Sequence, residues 1–417
     1  MSNSDDLPEI LDPLYDSLTK APAPKPAPSP APAQASAPAQ EEYGSDAVDI
    51  PDPMQAYVPP PPKEDPHKDK FEGAIKMAFV GAGQGGGRLA DSFYNFGYRK
   101  VAAVNTTEQD LRGLKMPEDR KMVIGNNRGG AGKDPTQGEA AAKESYEDIM
   151  DHLMRCWGEG AEHLYVCVGG GGGSGTGSWP VLLEAMKDYA KSTNIEKPLF
   201  KHLGVILTLP KRSEGSRVQR NALMAVQTAL EKLENNEISS LVLVDNSKIH
   251  ELYPGLPVKM FWKVANDTFT GIFHTFNLLA AKDSDYNTFD RADYRSVVQN
   301  GLMIFGRTKV THWRGKEDIS QAVRQNLAGS LLADGFDLAQ ADMAGAIVVA
   351  HDDVLGEIPM ENIDYAFNSL GRVLGNEGIT LHSGIYEGRQ PGMQVFTIVS
   401  GLEPPASRMK ELEDKSK

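Results

Sequence analysis

From residue 74 onward, short apolar runs alternate with longer stretches that repeat at helical spacing. The run AIKMAFV over 74–80 predicts a buried strand, the cluster GAGQGGG over 81–87 a tight turn, and RLADSFYNFG a helix. The pattern continues with a strand at 100–104 running into Asn105, MVIG from Met122, a helix over about 136–158 and the strand LYVCV. The helix WPVLLEAMKDYAKS, the strand HLGVILTL, a helix over 216–235 and the strand SLVLVD follow. Such alternation predicts an α/β fold with a parallel sheet covered by helices on both faces.

The segment 260–282, MFWKVANDTFTGIFHTFNLLAAK, is apolar on most faces and predicts a long helix buried between two units. Beyond residue 300 the strands GLMIFGRT, AGAIVVAH, GITLHSGIYEG and MQVFTIVSGL alternate with helices over 317–333 and 360–374, which predicts a second, smaller α/β domain. The expected division is a nucleotide-binding domain over 71–250, the central helix region over 251–285 and the second domain over 286–403. Order is expected to stop near Leu402, leaving a charged tail over 404–417.

Composition sets the first 70 residues apart. Of 27 prolines in 417 residues, 16 fall between positions 8 and 66, and residues 1–72 carry 14 Asp and Glu against 5 Lys, most of the chain's net charge of −14. A segment so poor in β-branched and aromatic residues cannot offset its ordering entropy, so residues 1–70 are expected to be disordered or extended. The mildly acidic remainder argues against direct nucleic-acid binding, which needs clustered Lys and Arg. Two cysteines, Cys156 and Cys167, exclude a disulfide framework and fit a reducing compartment. Nine histidines without ligand spacing give no structural metal site. Neither a spanning apolar run nor a signal peptide is seen, so the expectation is a cytoplasmic protein without membrane insertion.

The most informative stretch is GGGGGSGTGS over 169–178, set between a core strand and a helix that opens at Trp179-Pro180. Glycines let backbone N–H groups approach an anion, and a helix N-terminus adds its positive dipole, so this position suits a polyphosphate. Ser174 and Thr176 can add hydroxyl donors. A flexible linker would not be inserted between a core strand and a helix of a compact sheet. The turn at 81–87 could serve a dinucleotide, but that reading requires an acid at the end of the next strand, where Asn105-Thr106-Thr107 stands with Glu108 beyond. The segment GNNRGGAGKD over 125–134 has the wrong glycine spacing for a P-loop, with Asp134 in place of the magnesium-binding Ser or Thr.

Together these segments resemble the tubulin/FtsZ superfamily of GTP-dependent filament proteins. GGGGGSGTGS is similar to the family's signature phosphate loop, GAGQGGG to its first loop, NTTEQ at Asn105 to NTDAQ, and GAGKDP at Gly130 to GAGGNP. LPKRSEG over 209–215, VAND over 264–267 and DRADYRSVV over 290–298 follow in family order, so the resemblance covers residues from about 74 to 402. It implies GTP or GDP with Mg2+ as ligands. Phosphates would lie against Gly83, Gln84, Gly85, Ala131, Gly132, Gly172, Gly173, Ser174, Gly175 and Thr176, with Asn105 and Gly177 completing the set. Glu214 would take the ribose, and Asn266 and Asp267 the guanine edge. Trp262 would either stack on the base or serve as a core aromatic. Arg88 replaces the usual Asn, Lys133 would reach the terminal phosphate or stay solvated, and Arg217 or Arg220 would substitute for the ribose-loop arginine.

The resemblance also implies a pocket completed by the next subunit's acidic loop. Here that loop is 283–293, giving Asn287, Asp290 and Asp293 as the residues that polarise water or hold the cation, with one residue more before the first Asp than in FtsZ. The expected partner is the chain itself, head to tail, in an open filament that hydrolyses GTP on assembly. The segment LPEILDPLYDSL over 7–18 is a candidate docking peptide for an adaptor. Because no long linker and docking peptide follow the second domain, the expectation leans toward a divergent filament, phage or plasmid encoded, over the main division protein. The rivals from other classes are a non-polymerising nucleotide-binding regulator and a dinucleotide oxidoreductase.

Overall fold

The computed structural model describes residues 65–126, 129–330, 332–375 and 379–417. The proline-rich run and the candidate docking segment 7–18 lie outside the described residues. Strands β1 (Met77–Ala82), β2 (Val101–Asn105), β3 (Lys121–Val123), β4 (His163–Gly169), β5 (Leu203–Leu209) and β6 (Ser240–Asp245) run parallel in the order 3-2-1-4-5-6. The sheet then continues through β7 (Gly301–Val310), β10 (Met393–Leu402), β8 (Met343–Ala350) and β9 (Thr380–Glu387), with β10 antiparallel to both neighbours. The second unit's strands thus extend the first unit's sheet. The join is the short parallel pairing of Ser240, Leu241 and Val242 with Gly301, Leu302 and Met303.

The period of two explains how one sheet supports two cores. On β1, Ala78, Val80 and Ala82 face one cluster while Met77 and Phe79 face the other; on β4, Leu164, Val166 and Val168 oppose Tyr165 and Cys167 in the same way. The helices longer than one turn are α1 (Gly83–Asn95), α2 (Pro135–Glu144), α3 (Tyr146–Trp157), α4 (Gly173–Ser192), α5 (Ser216–Glu234), α6 (Asn246–Leu252), α7 (Val258–Leu279), α8 (Arg291–Val298), α9 (Asp318–Gln325), α10 (Met360–Val373) and α11 (Ala406–Ser416). The long central helix α7 buries Phe269, Phe273 and Phe276 completely. Phe273 alone meets Phe93 of α1 at 5.4 Å, Tyr165 of β4 at 5.6 Å and Phe305 of β7 at 5.6 Å between ring centroids. Asn277 fastens the helix to the start of β1, accepting from Ile75 N at 2.9 Å and donating to Ile75 O at 3.1 Å.

Six expectations change. The helices expected to open at Arg88 and at Trp179-Pro180 begin earlier, at Gly83 and Gly173, inside the glycine clusters. The helix expected over 136–158 is two, because the chain leaves helical geometry at Ser145, whose hydroxyl accepts from Gly125 N at 3.0 Å. The helix expected over 317–333 ends at Gln325 and passes into a wide π turn at Asn326–Ser330. Residues 65–70, counted with the extension, join the body: Asp69 accepts from Arg99 N at 2.6 Å and Pro66 O from Arg120 at 2.8 Å. The chain does not stop packing near Leu402, since α11 buries Leu412 and Arg408 against α5 and the loop after β5.

Removing the shared ring of the central helix, Phe273→Ala, is expected to cost about 3–5 kcal/mol. Urea unfolding followed by circular dichroism checks this against the unaltered protein.

Candidate nucleotide-binding site

A cavity of about 450 Å³ opens where β1, β4 and β5 end, the edge at which open parallel sheets bind ligands. Two glycine loops form its floor. Gly83 takes a φ of +66°, and a Cβ there would lie 2.6 Å from Gly175 N; a Cβ on Gly85 would come within 2.9 Å of Gly169 Cα. This close approach brings the first turns of α1 and α4 together. The first N–H groups of each helix have no intrahelical acceptor, so both present donors and a positive dipole end to the same space.

The opposite wall is the loop at 129–133. Gly132 and Lys133 both adopt positive φ, +53° and +61°, which for a lysine costs roughly 1–2 kcal/mol. Asn221 of α5 holds that shape by donating to Lys133 O at 3.0 Å and to Gly171 O at 3.2 Å, joining two loops with one amide. Asp134 then caps α2, accepting from Thr136 N at 3.0 Å and from its hydroxyl at 2.7 Å, bonds that hold its carboxyl below the usual range. On the third side, Glu214 accepts from Lys211 N at 2.9 Å.

Of the residues singled out in the sequence, Gln84, Gly85, Ala131, Gly132, Lys133, Gly172, Gly173, Ser174, Gly175, Glu214, Trp262 and Asn266 line this cavity. Trp262 is 38 % exposed and not part of the core, with the Arg88 guanidinium 5.8 Å and Lys211 Nζ 5.6 Å from its ring centre. Gly83, Asn105, Thr176, Gly177, Arg217 and Asp267 are not among the lining residues. Gly177 faces α2, where a Cβ would lie 1.9 Å from Pro135 O, and Thr176 is buried. Asn105 is buried and donates to Asp110 at 3.2 Å. Asp267 accepts from Ser92 Oγ at 2.6 Å and pairs with Lys263. Arg217 is exposed, and Arg220 donates to Ser416 O of α11.

Arg88, also singled out in the sequence, and two further residues shape the site. Asp110 lines the cavity and accepts from Gln84 at 2.7 Å; Arg88 and Asn246 also line it. Only Arg88 carried a sequence signal, as the residue directly after the first glycine cluster. Asp110 directly follows the NTTEQ segment, in a short helix over Glu108–Leu111, and Asn246 directly follows β6, where no motif marks it.

The acidic loop lies elsewhere. Asp290 caps α8 by accepting from Ala292 N at 2.7 Å and Asp293 N at 2.9 Å. His382 Nδ1 lies 2.7 Å from Asp293 Oδ1, and Asn287 donates to Ser383 Oγ at 2.7 Å. The neighbouring Arg291 pairs with Glu162, which directly precedes β4 and also accepts from Lys76 N, just before β1, at 2.9 Å. The loop therefore sits at the start of the strands whose ends form the cavity, roughly 20 Å away along the seven residues of β4.

Residues 76–254 match the family model described as Tubulin/FtsZ family, GTPase domain. Cell division protein FtsZ 1 of Thermococcus kodakarensis is 33% identical over 350 residues, spanning 81% of this chain and 84% of that protein. The chain belongs to the tubulin/FtsZ family. Among solved structures, the tubulin/FtsZ fold recurs in an FtsZ dimer from M. jannaschii (28% identity, TM-score 0.57, 78% of this chain and 88% of that one). It recurs also in a GTPγS-bound protofilament of CetZ2 from Haloferax volcanii (22%, 0.67, 82% and 98%). A two-stranded TubZ-Bt filament shares it as well (18%, 0.71, 83% and 89%). Within this tubulin/FtsZ chain, no helix among the described residues is long and apolar enough to cross a membrane.

The two kinds of glycine are separable by experiment. Gly177→Ala, which drives a methyl into Pro135 O, is expected to lower the unfolding temperature, whereas Gly172→Ala, whose Cβ meets nothing within 4 Å, is expected to leave it unchanged. Differential scanning calorimetry of both variants without nucleotide checks the contrast.

Proposed function

We propose that this tubulin/FtsZ chain binds GTP in the cavity and hydrolyses it when a second copy, stacked head to tail, supplies its acidic loop. The observation that carries this reading is polarity: the cavity and the loop occupy opposite ends of the same parallel strands. Stacking one end of a subunit on the other end of the next joins the two halves. Such a contact is heterologous and leaves both ends free, so it propagates as a filament.

In this reading the phosphates rest on the first turns of α1 and α4, with Ser174 adding a hydroxyl and Lys133 a charge near the terminal phosphate. Trp262 offers its exposed face to the base, Asn266 reads its edge and Glu214 takes the ribose. Asp267 reads guanine only if it leaves Lys263, so Asn266 is the better placed of the two. Among the described residues no group of three or more His, Cys, Asp or Glu could hold a metal ion. Mg2+ would be held chiefly through substrate phosphates, with Asp110, one of the lining carboxylates, able to assist; the ion would supply charge neutralisation. The incoming Asp293, steadied by His382, orients the attacking water, while Asn287, tied to Ser383 on the same strand, ranks behind it. Asp290 is occupied in capping α8 and ranks behind Asp293.

The sequence relatives carry the name cell division protein, which supports a division role over a phage or plasmid filament. Docking of an adaptor on residues 7–18 is proposed on helical spacing alone.

GTP, but neither ATP nor NADH, is expected to drive the protein into the pellet on sedimentation. Asp293→Ala is expected to bind GTP and pellet normally while releasing phosphate at least a hundredfold more slowly, the scale on which a positioned acid–base group acts. Normal phosphate release by that variant would refute the role given to Asp293.

A further inference from the structure

The last helix, read in the sequence as a charged tail, makes a dense set of polar contacts directly behind the cavity wall. Arg408 and Asp245 both have buried side chains, at 2 % and 1 % exposure, with Nε 2.8 Å from the carboxylate. Arg408 also donates to Pro210 O at 2.7 Å and lies 3.0 Å from Glu411. Glu411 accepts from Arg212 at 2.9 Å, and Lys415 donates to Arg212 O at 2.9 Å. Arg212 N in turn donates to Ser247 Oγ at 2.7 Å, and Asp245 caps α6 through Ser247 N at 2.8 Å.

The two body segments that α11 grips, after β5 and at the end of β6, both border the cavity. Pro210 and Glu214 line it from the loop after β5, and Asn246, directly after Asp245, lines it from the loop after β6. Burying an ion pair costs desolvation that an apolar pair would avoid, so the pair is poorly explained as a source of stability. What it does achieve is geometric: one guanidinium ties the loop after β5, the end of β6 and α11 into a single unit. Burial raises the Asp245 carboxyl above its ordinary range even beside Arg408. Glu411 is brought down to about 2, because bonds from Lys415 and Arg212 outweigh the opposing effect of its burial.

We infer that α11 is a latch on the nucleotide site, and that Arg408 and Glu411 are positioning residues that fix Glu214 and Asn246 without touching the ligand. The inference rests on the nucleotide reading of the cavity. It assigns the C-terminal helix a part in retaining nucleotide, separate from the acidic loop's part in hydrolysis.

The test uses the full chain and a fluorescent GDP analogue, with release followed by stopped flow and GTP turnover measured over a range of concentrations. Glu411→Ala removes the Arg212 link while leaving the buried pair in place, so it decides the matter even if Arg408→Ala fails to fold. Both variants are expected to release the analogue about tenfold faster and to raise KM for GTP while keeping kcat at saturation, with Arg408→Lys recovering part of the loss. A lower unfolding temperature with release and KM unchanged would overturn the latch and leave α11 a purely stabilising element. If the unaltered protein bound no guanine nucleotide, the nucleotide reading itself would fail, an outcome distinct from failure of the latch.

Discussion

The contact on which the site depends is the approach of two backbones, at Gly83 against Gly175 and at Gly85 against Gly169. Parallel strands β1 and β4 end side by side; β1 passes at once into α1, and β4 reaches α4 through the glycines at 170–172. Two helix N-termini can share one anion only if no side chain separates them, and the glycines meet that condition. The remaining walls are arranged around this floor: the 129–133 loop held by Asn221, the Glu214 loop held by α11, and Trp262 carried in on the central helix. The aromatic packing of α7 against α1, β4 and β7 then fixes where Trp262 and Asn266 stand relative to the glycines.

The elements with a local signal were readable from sequence. Alternating apolar runs located the strands from β1 to β6 and the later ones, and the greasy segment located α7, because burial on both faces leaves a continuous apolar record. The glycine loops were legible because glycine-only backbone approach is a chemical requirement written in residue type. What depended on distant partners was hidden. Ser145 breaks a helix for the sake of a bond to Gly125, and nothing nearby announces it. The helix α11 looks like a solvated tail because its key residue is an arginine, whose charge can be buried only where Asp245, 163 residues earlier, faces it.

The same distinction divides the site residues. Gln84, Gly172, Ser174 and Glu214 fall in the cavity because a short motif fixes their position relative to a strand end. Thr176 and Gly177 belong to the same motif but lie further along α4, where Thr176 is buried and Gly177 faces α2. Asp267 shares a helix with Trp262 and Asn266, yet Ser92 and Lys263 take its carboxylate. Asp110 and Asn221 were not foreseen, since an acid or amide becomes informative only when two loops converge on it.

Hydrolysis in the proposed filament requires one subunit's cavity to work with another subunit's acidic loop. Mixing Asp293→Ala with Gly172→Asp, a change that places a carboxylate where phosphate would sit, pairs an intact cavity with an intact loop from different chains. With co-sedimentation confirming joint filaments, the mixture should regain GTP turnover that neither variant shows alone. Joint filaments without turnover would contradict the shared site.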